Sequence, residues 1–161
     1  MIELHDVRFA VAEKMEDTYE ELRKSWWGKP ESLHLDCWGV LRSADGYNIH
    51  LKPEKPEGDE RLWFVNLGGY DPDEFSELHK NVFVVAPTES KAKVKALKTI
   101  LDWKGHHKDE IYEVEKIYSV ERAAREKSLY LHFEKTDTPL PFEFKCGYKP
   151  IGKQGPAAEG R

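Results

Sequence analysis

Apolar positions in this chain fall into two kinds of pattern: short unbroken runs rich in Val and Phe, and stripes that recur every three or four residues. The runs Val7 to Ala12 and Val82 to Ala86 predict strands. Asp17-Thr18-Tyr19-Glu20 reads as a helix N-cap followed three residues later by Glu. Met15, Tyr19, Leu22 and Trp26 then form a helical stripe, which Gly28 ends and Pro30 keeps closed. A second helix is predicted from Thr88, with Val94, Leu97, Ile100 and Leu101 as its apolar stripe, four lysines (91, 93, 95 and 98) on or beside its wet face, and Gly105 as its stop. Strands follow each helix, at Asp36 to Leu41 and at Ile111 to Tyr118. Ser43-Ala44-Asp45-Gly46 predicts a hairpin turn into Tyr47 to Leu51. Its later counterpart runs through Arg122 to Lys127 into Leu129 to Glu134. Leu62 to Leu67 reads as a buried strand that Gly68-Gly69 breaks.

The order of these elements repeats. Residues 3 to 12 (ELHDVRFAVA) align with residues 77 to 86 (ELHKNVFVVA) at an offset of 74, with six of ten positions identical. His34-Leu35-Asp36 aligns with His107-Lys108-Asp109 at an offset of 73. An ordered series of matches at nearly constant spacing is the mark of duplication. The expected fold is α+β: two tandem strand–strand–helix–strand–strand units packed about a pseudo-twofold, the first lacking its opening strand. The spans are 1–52 for the shortened first unit, 53–60 for a linker of Pro, Glu, Lys, Gly and Asp, 61–135 for the second unit, 136–151 for a C-terminal strand and 152–161 for a flexible tail. The C-terminal strand, Phe142 to Pro150, carries a Gly-Tyr-x-Pro that echoes Gly69-Tyr70-Asp71-Pro72. Two placements are open to it: the slot of the missing first strand, or an extra strand on the second unit. A unit of some 75 residues buries too little surface to be very stable alone, so pairing of the copies or of two chains is expected.

Composition narrows the class. The chain of 161 residues is 39% hydrophobic and 34% charged, which suits a globular domain. A net charge of −5 opposes phosphate backbones and argues against nucleic acid as a general partner. No apolar run approaches a membrane span, and no leader pattern opens the chain, so a soluble cytoplasmic protein is expected. The two cysteines, Cys37 and Cys146, form no CxxC or metal-spaced set and read as two buried thiols in a reducing compartment.

The Leu-Gly-Gly-Tyr at residues 67–70, the Glu-Leu-His before a strand and the His-x-Asp after a helix together resemble a small bacterial family, domain of unknown function 1543. The resemblance spans Ile2 to about Ile151. It implies two tandem copies, each opening with its own hydrophobic strand and glycines, and it implies no activity. The first opening strand is absent here, which suggests a version shortened at its start.

One set of residues is suited to chemistry. A strand–helix–strand crossover makes its two strands parallel, so their starts share one edge of the sheet. Glu3, His5, His34 and Asp36 fall at that edge in the first copy, and Glu77, His79, His107 and Asp109 in the second. Two imidazoles and two carboxylates can hold a divalent metal such as zinc, or act as an acid–base pair. They can equally satisfy loose backbone groups at strand ends. Ligands of α/β sheets favour the opposite, carboxyl edge, which weighs against catalysis. Serine-nucleophile, phosphate-loop, zinc-protease and dinucleotide motifs are all absent, so no cofactor is implied. Five tryptophans add either core or an aromatic contact patch. The expectation is a non-enzymatic protein-interaction or ligand-binding module, with a protein partner or a homodimer. A metal- or acid–base-dependent small-molecule enzyme using the His/Asp edge is the alternative.

Overall fold

A computed structural model of the chain describes residues 5–70, 73, 75, 77–99 and 113–152. The fold is α+β with antiparallel sheets. It divides into two compact units: the chain up to Leu41 together with Phe142 onward, and Arg42 to Pro141. These units cut across the spans read from the repeat. The hairpin after Leu41 belongs with the second unit, and the C-terminal strand belongs with the first.

In the first unit a 3-10 turn, Met15–Thr18, leads into α1, Tyr19–Ser25. Asp17 serves that turn rather than the helix: its carboxylate accepts the Lys14 backbone N–H at 3.2 Å. A second 3-10 turn at Pro30–Ser32 precedes β1, His34–Val40. β1 pairs antiparallel with β8, Glu143–Pro150, so the C-terminal strand takes a place beside β1 and not in the second unit's sheets. The ladder carries a register shift between Leu35 and Cys37, leaving Asp36 without a cross-strand partner. Beyond β8 the backbone N–H groups of Ile151 and Gly152 both donate to Leu33 O, at 2.9 and 2.8 Å. Gly152 is required there, because a Cβ would stand 2.4 Å from Pro30 O. Leu33 and Ile151 are the two buried hydrophobic residues of this unit among the described residues.

The run Val7 to Ala12 is not a strand. The run that aligns with it in sequence is β5, Glu77–Ala86, which is hydrogen-bonded along its whole length to β4, Arg61–Tyr70. Similar residues take different states because a strand needs a neighbour to satisfy its backbone, and β propensity alone does not supply one.

The second unit holds two three-stranded sheets. One has the order β5-β4-β6, with β6 at Glu113–Ser119. Both outer strands run antiparallel to β4 and hence parallel to each other, and α2, Glu89–Lys98, lies between them in the chain. The Gly68-Gly69 pair does not break β4. Gly68 pairs with His79 on one side and Glu113 on the other, and two ladders outweigh the poor strand propensity of glycine. Alternate residues Trp63, Val65 and Leu67 of β4 meet Val84, Ala86, Ala92 and Ala96 in one fully buried cluster. Trp63 Nε1 donates to Ala86 O at 2.8 Å within it. The apolar face of α2 is therefore built on Ala92 and Ala96, whose small side chains let the helix approach the sheet. Val94, expected in the stripe, is 57% exposed. Ile100, Leu101 and Gly105 lie outside the described residues. Thr88 is the N-cap as expected, its hydroxyl accepting from Lys91 N.

The other sheet has the order β2-β3-β7, with β2 at Ser43–Ala44, β3 at Tyr47–Lys52 and β7 at Tyr130–Lys135. Asp45 and Gly46 take φ of 55° and 78°, the left-handed pair of a tight hairpin turn. The Asp45 carboxylate also accepts Val85 N at 2.7 Å and pairs with Lys95, tying the turn to the end of β5 and to α2. A short helix α3, Glu121–Arg125, connects β6 to β7.

Candidate functional site

Of the eight residues proposed for the polar edge, three come together in the first unit. His5 Nε2 stands 3.5 Å from Asp36 Oδ2, and His34 Nε2 stands 3.4 Å from Asp36 Oδ1. Strand alternation explains the His34–Asp36 pair, since residues two apart on β1 face the same side. The bulge of this ladder lies on β8, where Gly147 and Tyr148 stand opposite Asp36. His34 Nδ1 meets Ser32 O at 2.8 Å, and the ring lies 4.4 Å from that of Tyr148. Both nitrogens of His34 therefore face acceptors, and a neutral ring can donate to only one of them. The His5 and Asp36 side chains are 67% and 48% exposed and His34 16%, so water screens the His5–Asp36 contact more than the His34 side of the cluster.

In the second unit Glu77 and His79 are neighbours two residues apart on β5, with His79 Nε2 at 3.6 Å from Glu77 Oε2. Glu3, His107 and Asp109 lie outside the described residues. Among the described residues no group of three or more His, Cys, Asp or Glu side chains converges closely enough to hold a metal ion.

A second constellation escaped the sequence reading. His50 on β3 and His132 on β7 are cross-strand partners, and Asn48 and Glu134 pair two residues away on the same face. His50 Nε2 contacts Glu134 Oε2 at 3.0 Å, and His132 Nε2 contacts Glu54 O at 2.8 Å. Asn48 is held in turn by the Ser43 hydroxyl, which donates to its Oδ1 at 2.7 Å. The ladder and the segment after β3 enclose a cleft of about 490 Å³, lined by His50, Lys52, Glu57, Glu60, His132 and Glu134 among others. The alternation in Ile49-His50-Leu51 and Leu131-His132-Phe133 was visible in the sequence, a polar residue between two apolar ones in each strand. The rung that joins them was not, since 82 residues separate the two histidines.

The cysteines overturn the expectation of two buried thiols. Cys37 and Cys146 form a disulfide, and both are exposed. They face each other on β1 and β8 with Cα atoms 4.1 Å apart, the close spacing of a rung without backbone hydrogen bonds. Their separation of 109 residues concealed this, because only the β1/β8 register brings them together.

Comparison with known proteins agrees with the motifs. The family model described as Domain of Unknown Function (DUF1543) matches residues 1–51. A crystal structure of protein Il1583 from Idiomarina loihiensis is 30% identical, with a TM-score of 0.65 over 96% of this chain and 89% of that one. The chain belongs to the DUF1543 family. No curated protein matches it.

Electrostatics distinguishes two further places in this DUF1543 protein. Burial pushes the Glu121 carboxyl above its ordinary range, although Arg61 and Arg125 beside it pull the other way. In the first unit Lys149 of β8 lies 5.5 Å from the Tyr19 ring centre and 5.9 Å from that of Trp38, and pairs with Glu16 at 3.3 Å. The neighbouring Tyr19, then Glu16, holds its amine above the usual lysine range. Glu16 is held low by its own backbone hydrogen bond and then by Lys149. No helix among the described residues is long and apolar enough to cross a membrane.

Proposed function

We propose that this DUF1543 protein is a non-enzymatic ligand-binding module built from a duplicated unit, with its binding cleft on the β3/β7 ladder. The observation that carries the reading is the cleft itself. Two histidines on one rung, Lys52, and the carboxylates of Glu57, Glu60 and Glu134 line a hollow of about 490 Å³. A hollow of that size suits a small molecule. A lining of both signs favours a ligand that also carries both, such as a free amino acid.

Duplication gains support from the same rung. Ile49-His50-Leu51 and Leu131-His132-Phe133 occupy corresponding places in the two copies. His50 pairs with His132, Ile49 with Phe133 and Leu51 with Leu131. This register is compatible with duplication. Each copy then contributes one histidine, and the cleft belongs to the junction of the copies.

The test is a titration of the full chain with free amino acids, followed through the ring resonances of His50 and His132. Saturable shifts of both, lost in His132→Ala while the fold is retained, support the reading. Unchanged resonances across all the amino acids oppose it. Cytoplasmic placement and a protein partner or homodimer remain parts of this reading. The exposed Phe144 and Tyr148 of β8 offer an aromatic contact for such a partner.

The His5–Asp36–His34 cluster favours a second reading, an acid–base enzyme acting on a small molecule. Its carboxylate lies within 3.5 Å of two imidazoles, and contact with Ser32 O orients one of them. Turnover of a small-molecule substrate lost in both His34→Ala and Asp36→Ala, with unit stability preserved, would favour this alternative.

A further inference from the structure

The disulfide belongs to the first unit and plays no part in the ligand-binding reading. We propose that Cys37–Cys146 is a thiol–disulfide exchange site, reduced by a dithiol of the thioredoxin class, and that its state decides whether β8 stays zipped to β1.

Three features of the first unit carry this. First, both cysteines are exposed, so a thiolate can approach either sulfur; structural disulfides in cores offer no such approach. Second, the bond sits at the weakest part of the ladder. The register shift between Leu35 and Cys37 already interrupts the backbone hydrogen bonds beside it. Third, little else holds this part of the ribbon. β1 has β8 as its only strand partner among the described residues, and a two-stranded ribbon is marginal by itself. The buried hydrophobic residues of the unit, Leu33 and Ile151, lie past the other end of the ladder.

The same geometry predicts which part of β8 is released. Its C-terminal end keeps its anchors without the disulfide: Ile151 and Gly152 donate to Leu33 O, Arg23 Nε donates to Ile151 O, and Lys149 pairs with Glu16. The stretch Glu143 to Cys146, opposite Cys37 to Val40, relies on the ladder between two ties, Lys149 over the Trp38 ring at one end and the Leu140 N–H donated to Ser43 Oγ at 3.0 Å just before the other. Reduction therefore loosens the ladder between these two ties.

The chemistry balances with the dithiol as the reductant. Its thiolate attacks one sulfur, forming a mixed disulfide and expelling the other cysteine as a thiolate. The second thiol of the reductant then attacks the mixed disulfide and releases the first cysteine. Two electrons and two protons pass to the chain, which ends with two thiols, and the reductant leaves as its own disulfide.

The test uses the oxidised full-length chain, incubated without denaturant with dithiothreitol and, separately, with a reduced thioredoxin-class protein. Thiols are counted and amide exchange is followed by mass spectrometry. Two thiols per chain are expected to appear. Exchange across 37–40 and 143–146 should rise by about tenfold or more, while β4 stays protected. The C37S/C146S double variant should show the fast exchange with no reductant present. Thiols that appear only after denaturation overturn the exchange site. Equal exchange in β8 before and after complete reduction of the wild type overturns the control of the strand. The reduction arm needs no variant, so failure of C37S/C146S to fold would leave the proposal open to refutation.

Discussion

His50 and His132 occupy the same rung of the β3/β7 ladder, each with its Nε2 engaged, one by Glu134 and the other by the Glu54 carbonyl. Neither contact is buried, so both histidines are available to a ligand at small cost to the fold. His50→Ala and His132→Ala are expected to lower unfolding free energy by less than about 1 kcal/mol, the usual worth of exposed polar pairs. Chemical denaturation checks this. A loss of several kcal/mol would mean that the rung is a structural support and would weaken its claim as a binding surface.

Leu67 lies at the centre of the buried cluster beneath α2, fully shielded from water. Leu67→Ala should destabilise the second unit by about 2–5 kcal/mol, through lost burial and the cavity left behind. Urea denaturation monitored by tryptophan fluorescence reports it. A change below about 1 kcal/mol would show that the cluster can collapse around the gap, against the close packing described.

Asp45 holds three things together: the left-handed turn, the Val85 N–H and the Lys95 amine. Asp45→Ala leaves a buried-strand N–H without its acceptor and is expected to cost about 1–3 kcal/mol. Asp45→Asn keeps a side-chain oxygen and the tolerance for positive φ, so it should recover most of the loss. Equal damage from the two substitutions would assign the effect to the charge pair with Lys95 instead.

Glu121 sets a pH dependence. Its carboxyl titrates higher in the folded chain than in the unfolded one, chiefly through burial. Across the window between the two values the folded state binds more protons, so stability falls as pH rises through it and levels off above. Glu121→Gln should remove this slope, so its stability should fall less than that of the wild type as pH rises through the window. Glu16 works in the opposite sense: its lowered carboxyl stabilises above the unfolded value and loses that contribution as pH falls. Unfolding curves of wild type and Glu121→Gln between acid and neutral pH would separate the two, and parallel curves would refute the role given to Glu121.

Local chemistry made several elements legible. The Asp45-Gly46 turn was readable because a tight hairpin needs two left-handed residues and this pair tolerates them. The start of α2 was readable because a threonine oxygen is positioned to accept a free N–H of the first turn. The nearness of His5, His34 and Asp36 was anticipated too. It rests on alternation along β1, which sets His34 and Asp36 on one side, and not on a parallel strand at residues 7–12.

By itself, then, the sequence determined the α+β class, the main turn and helix start, and the family to which the chain belongs. Tertiary structure decided that Val7 to Ala12 is no strand, that Gly68-Gly69 lies within one, that Cys37 bonds to Cys146, and that His50 meets His132. Periodicity, caps and turns act over a few residues and leave their pattern in the chain. Strand pairing joins residues tens to a hundred positions apart, and its register follows from which backbone groups find partners, a matter no local pattern encodes.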